Sequence, residues 1–193
     1  MASSRWFFGL IALFCALGAS AARGDVIGYD RVLASVTLSF DDSGSTDRAV
    51  LVDNLDGGAD LYLYRSIEDV RPDVAATPAF VKKAAAWSAN AWGARPSLDT
   101  NAKASLLLKS QNEAVGRSRW RQTLTIVYRN HEFLVAGVSY GAYDSLDPKA
   151  GGNCDLNFLS GRGTRNGKPV TIKALTLKLA DWSDESLPKE CRF

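Results

Sequence analysis

Residues 119–143 constrain the fold more than any other stretch. Trp120, Gln122, Leu124, Ile126 and Tyr128 occupy one parity of this run, and Arg119, Arg121, Thr123, Thr125 and Arg129 the other. Such a period-two alternation describes a strand with one buried and one solvated face. Asn130-His131 separates it from a second apolar run, 132–143, and Asn tolerates the positive φ of a two-residue hairpin loop. Folding about that turn sets Arg129 against Glu132, Tyr128 against Phe133, Ile126 against Val135 and Leu124 against Gly137. The same register sets Tyr140 against Arg121. It puts Leu134, Ala136, Val138 and Tyr140 on the side opposite Phe133 and Val135. A strand apolar on both faces is expected at the centre of a sheet.

The rest of the chain reads as further short strands. Alternation marks 32–40, 48–53 and 59–64, with Asx- and Gly-rich turns at 41–47 and 54–58. Ala104, Leu106 and Leu108 give an inward face to a strand beginning at Ala102. A short strand over 155–159, a basic glycine-rich turn over 161–167 and a long last strand over 170–179 complete the pattern. Residues 78–92 are open between helix and irregular strand. Thr77-Pro78 can start a helix with Phe80, Ala84, Trp87 and Ala91 on one face, and the reading leans that way. The expected fold is all-β and predominantly antiparallel, a sandwich or partly open barrel with at most one short helix.

The N-terminus sets the expected compartment. Arg5 precedes the apolar run 6–17, and small residues ending in Ala21-Ala22 follow it, as in a secretory signal peptide. The expected layout is a leader over 1–22, then a single β-rich domain over 23–193. The apolar run is short for a membrane span, so no stable span is expected after cleavage, and the destination is periplasmic or secreted. Cys15 leaves with the leader, and Phe14 before it departs from a lipobox. Cys154 and Cys191 then remain as an even pair, for which a disulfide is the default in an exported chain. Two free thiols or a metal pair are the alternative. With 23 Lys+Arg against 21 Asp+Glu, the chain has no overall bias toward nucleic acid.

The turn running from Phe40-Asp41-Asp42-Ser43-Gly44 to Asp47-Arg48-Ala49-Val50-Leu51 resembles the Phe-Asp-Gly-Asp-Gly-x-x-Asp calcium loops of FG-GAP and VCBS-type repeats. Asp41 and Asp47 match the family pattern. Ser39 and Ser43 stand where it has acids, and Asp42 where it has glycine. The resemblance implies calcium held by Asp41 and Asp47; an Asx-rich turn accepting backbone N–H bonds is the other reading. Apart from that calcium, the sequence names no cofactor. More broadly, this loop, Asn112–Trp120, the Tyr-Arg-Asn-x-Glu-Phe-Leu-Val-Ala-Gly hairpin and Asn157-Phe158-Leu159-Ser160-Gly161 resemble a family of uncharacterised exported proteobacterial proteins. That resemblance implies a bacterial envelope protein and carries no reaction with it.

Catalytic signatures are sparse. Gly161–Lys168 lacks P-loop spacing, and His131 is the only histidine, at a loop tip. No pair of carboxylates has a spacing that identifies a glycosidase. The remaining candidates are ligand-binding ones. Arg119 and Arg121 on one strand face suit a phosphate or uronic acid, with Trp120 between them, although strand charges more often serve solubility. Trp87, Trp92, Trp120 and Trp182 point to a carbohydrate or peptidoglycan ligand if two or more share a cleft, and to core packing if all are buried. The sequence therefore favours a non-catalytic binding or envelope-accessory domain, its partner an envelope polysaccharide or protein. The alternatives are a hydrolase of envelope polymers working through Asp or Glu, and a calcium-stabilised adhesion module.

Overall fold

The computed structural model describes residues 27–41, 44–65, 77–89, 93–147 and 149–193. The expected leader, Cys15, Asp42, Ser43 and Trp92 lie outside that set. The described residues form two antiparallel sheets. The first joins β1 (Val32–Leu38), β2 (Asp47–Asp53), β3 (Gly58–Tyr64) and β4 (Phe80–Trp87) in chain order. The second contains β5 (Ser97–Thr100), β6 (Leu106–Asn112), β7 (Ser118–Arg129), β8 (Glu132–Asp144), β9 (Gly151–Asn157), β10 (Arg162–Arg165) and β11 (Lys168–Thr171), also in chain order. A two-residue strand, β12 (Leu177–Lys178), pairs with β8 at Leu134 and Val135. The all-β expectation holds, in its sandwich form and without a closed barrel.

Period-two patterning accounts for the core. Ala49, Leu51, Leu61 and Leu63 from the first sheet meet Leu106, Leu108, Leu124, Ile126, Val135, Val138 and Leu156 from the second. All are at most 2% exposed. Burying one such aliphatic side chain stabilises by about 1.5–3 kcal/mol, so the alternation is the main source of cohesion between the sheets.

The central hairpin follows the expected register only near its tip. Asn130 and His131 both have positive φ, 51° and 63°, as a tight two-residue turn needs. Arg129 faces Glu132, Tyr128 faces Phe133 and Ile126 faces Val135. Beyond that point Thr125 faces Gly137, so Ala136 is an extra residue in β8. Leu124 consequently faces Val138, not Gly137, and Gln122, not Arg121, faces Tyr140. Val138 and Tyr140 thus lie on the same side as Phe133 and Val135. At the bulge β9 runs close to β8. A Cβ on Gly137 would stand 2.6 Å from the carbonyl oxygen of Leu156.

Three further expectations need correction. Residues 80–87 form a strand, not a helix, and β4 pairs with β3 around a second bulge. Ala84 there has φ 47°, and buried Asp60 accepts hydrogen bonds from Ala84 N (2.9 Å) and Lys83 Nζ (2.8 Å). The bulge interrupts the alternation, so the segment carries no clean period of two. The strand expected from Ala102 begins at Leu106. Residues 101–105 are a turn in which Asn101 Oδ1 accepts from Lys103 N and Ser105 N, leaving Ala104 exposed with φ 55°. The 161–167 turn contains β10, and the long last strand is divided between β11 and β12.

Gly137→Ala tests the bulge. Its methyl must push β9 away, and the expected loss is about 1–3 kcal/mol, read as a lower urea midpoint with an unchanged slope. An unchanged midpoint would mean that β9 does not approach β8 so closely.

Candidate binding cleft

Because of the bulge, Tyr140 on β8 stands beside Trp120 on β7, their ring centroids 6.5 Å apart and their planes 19° from parallel. Trp87, at the end of β4, meets Trp120 from the first sheet with centroids 5.8 Å apart. Its carbonyl accepts from Ser110 Oγ on β6. These side chains line an open cleft of about 1010 Å³ between the sheets. Gln122 also lines it. The residue is 8% exposed, and its amide, which has no hydrogen-bond partner among the described residues, is open to the cleft.

The C-terminal segment forms the outer wall. Three single-turn 3-10 helices, Leu179–Asp181, Asp184–Ser186 and Lys189–Cys191, bring Trp182, Asp184, Glu185, Leu187 and Arg192 to the cleft. Trp182 is 4% exposed and packs on Phe158, so it belongs to the core. Trp87 and Trp120 are the half-buried pair. Cys154 and Cys191 are joined in a disulfide that anchors this wall to β9. A loop of 37 residues closed this way is worth about 4 kcal/mol in the chain-entropy account. Lys82 Nζ adds a hydrogen bond to Ala180 O (2.8 Å), and the Arg165 guanidinium lies 4.8 Å over the Phe193 ring.

The arginines and Trp120 do not share a surface. Alternation along β7 sends Trp120 and Gln122 into the cleft and Arg119 and Arg121 to the opposite face. There Arg121 Nε donates to Glu113 Oε1 (2.7 Å) and Arg117 Nε to Asp144 Oδ2 (2.6 Å). Tyr143 donates its hydroxyl to Glu113 Oε2 (2.7 Å), a bond that raises the phenol pKa. One Nη of Arg119 is buried without a partner.

Asp41 and Asp47 do converge, but on a guanidinium. Arg65 pairs with Asp41 Oδ2 and, at 3.1 Å, with Asp47 Oδ1. Fully buried Asp47 also accepts from Phe40 N (2.9 Å). The guanidinium lies 4.1 Å over the Tyr128 ring, which ties this loop to the tip of the central hairpin. Arg65 thus pairs with both of the carboxylates that the resemblance assigns to calcium. Among the described residues, no three His, Cys, Asp or Glu side chains gather as a metal set.

Sequence reasoning flagged the tryptophans but not Tyr140 or Gln122. The missing signal was Gly137, a glycine inside an apolar strand and hence a mark of a bulge. Comparison with known proteins found no matching family model, no similar curated protein and no similar solved structure.

Burial raises the pKa of Tyr140, and the nearby charge of Asp184 adds to the effect. The folded-state value lies above the unfolded one, so the stabilisation is complete below about pH 10 and is lost as pH rises through the folded value. Absorbance titration of phenolate should show late-ionising tyrosines, one of which disappears in Tyr140→Phe. The variant should also lose less stability between about pH 9 and pH 11 than the parent. Titration of all tyrosines near the ordinary value would place Tyr140 in water.

Proposed function

We propose that this chain is an exported, non-catalytic binding domain of a bacterial envelope, and that its ligand seat is the cleft of Trp87, Trp120 and Tyr140. The observation that carries the reading is the half-buried aromatic group lining the cleft, Trp120 with the Tyr140 ring 6.5 Å from it on one side and Trp87 5.8 Å from it on the other. Sugar rings present apolar C–H faces and a rim of hydroxyls. An aromatic platform with the Gln122 amide beside it suits both, in the manner of small-molecule sites with few polar anchors. An envelope saccharide is therefore the ligand this cleft fits best. The disulfide supports an oxidising destination such as the periplasm or the cell exterior.

Hydrolysis draws less support from the same cleft. General-acid chemistry on a glycosidic bond relies on a carboxyl group held in a desolvated place. The rim carboxylates Asp56, Asp184 and Glu185 are all exposed to solvent. Among the described residues the buried acids are Asp47 and Asp60, engaged by Arg65 and Lys83.

Sedimentation of the oxidised protein with purified, insoluble peptidoglycan tests the reading, with intrinsic fluorescence recorded on soluble fragments. Trp120→Ala should weaken binding at least about tenfold while far-UV circular dichroism is unchanged, equivalent to about 1.4 kcal/mol. Binding that is indifferent to Trp120→Ala would remove the cleft from the account.

A further inference from the structure

We infer that the aromatic cleft is one end of a longer groove, and that its ligand is a glycan strand of neutral or amine-bearing sugars laid across the edge of β4. The inference rests on the cleft being a saccharide seat. A second hollow of about 520 Å³ lies on the far side of β4, lined by Arg31, Asp60 and Tyr62. Asn54, Asp56, Lys83 and Ala84 line both hollows, so the two are neighbours across the β4 bulge. At that crossing Ala84 is exposed and presents only a methyl group, which makes the ridge between them low. Asp60 fixes the ridge by accepting from Ala84 N and Lys83 Nζ.

Size argues for a polymer. Sites for single small molecules measure roughly 300–1,000 Å³. The aromatic cleft alone reaches the top of that range, and the second hollow adds half as much again. Chemistry changes along the groove, from stacked rings at Trp120 and Tyr140 to the Tyr62 ring with the Lys83 ammonium 5.6 Å from its centroid. A chain of repeated units meets both environments at once.

Charge narrows the class. The cations along the groove already point at protein oxygens. Arg31 donates to Asp53 O, Lys82 to Ala180 O, Lys83 to Asp60, and Arg192 to Leu187 O and Glu185 O. The side-chain carboxylates of Asp56 and Asp184, in contrast, have no hydrogen-bond or ion-pair partner among the described residues. With the unpaired amide of Gln122, the groove offers acceptors to hydroxyl and amine donors and few free cations to a polyanion.

Calorimetric titration of the oxidised full chain with three oligosaccharide series tests this. The series are neutral chito-oligosaccharides from disaccharide to hexasaccharide, their de-N-acetylated counterparts, and oligogalacturonides of matching length. Affinity for the first two should rise about tenfold or more from disaccharide to hexasaccharide, a gain of about 1.4 kcal/mol. Oligogalacturonides should bind at least about tenfold more weakly at each length. Tyr62→Ala should lower hexasaccharide affinity more than disaccharide affinity, and Trp120→Ala should weaken both. Trp120-dependent binding that does not grow with length, or a length gain untouched by Tyr62→Ala, would overturn the groove while leaving the cleft as a seat. Equal or tighter binding of oligogalacturonides would overturn the assigned ligand class. Absence of binding by every series would overturn the saccharide seat and the groove with it.

Discussion

One extra residue in β8 decides which way half of that strand faces. With Ala136 bulged, Val138 and Tyr140 turn to the side that holds Phe133 and Val135, and the strand keeps its apolar parity on the interior from tip to base. A regular ladder would put Tyr140 on the outer face beside the arginines. The bulge is held from the other side, where β9 runs so close that only glycine fits at 137. Backbone sterics at a single position therefore set the chemistry of the cleft some residues away.

The two ends of the sandwich are built differently. At the hairpin tip, Phe40, Phe80, Tyr128 and Phe133 pack edge and tilt at centroid distances of 4.8 to 6.5 Å, and Arg65 covers Tyr128 while pairing with Asp41 and Asp47. That end is closed by its own side chains. Toward the other end the sheets part, and the aromatic residues there, Trp87, Trp120 and Tyr140, remain half-buried around a hollow. A covalent bond at Cys191 and the Lys82 hydrogen bond fix the outer wall, so the cleft is shaped before any ligand arrives.

Much of this was legible in the sequence, for identifiable reasons. Alternation in 119–129 and the Asn130-His131 turn are local signals, and local signals gave the hairpin and its first pairs. Cysteine count gave the disulfide. Residues 80–87 misled because a bulge at Ala84 breaks the period of two, leaving spacings that also fit a helical face. The cleft was hidden for a longer-range reason. Trp87 and Trp120 lie in different sheets, and the partner of Tyr140 depends on a register shift that only Gly137 hinted at. Adjacency in sequence was likewise a poor guide to Arg119, Trp120 and Arg121, since neighbours on a strand face opposite ways. Nothing in the Asp41–Asp47 turn announced that Arg65, from the end of another strand, would stand between its carboxylates.

The β8 register is the claim on which the cleft rests, and nuclear Overhauser effects between side chains measure it directly. The account predicts contacts from the Trp120 indole to the Tyr140 ring and from the Leu124 methyls to those of Val138, because Gln122 faces Tyr140 and Leu124 faces Val138. Contacts from Tyr140 to the side chain of Arg121, with none to Trp120, would show an unbulged hairpin and contradict it.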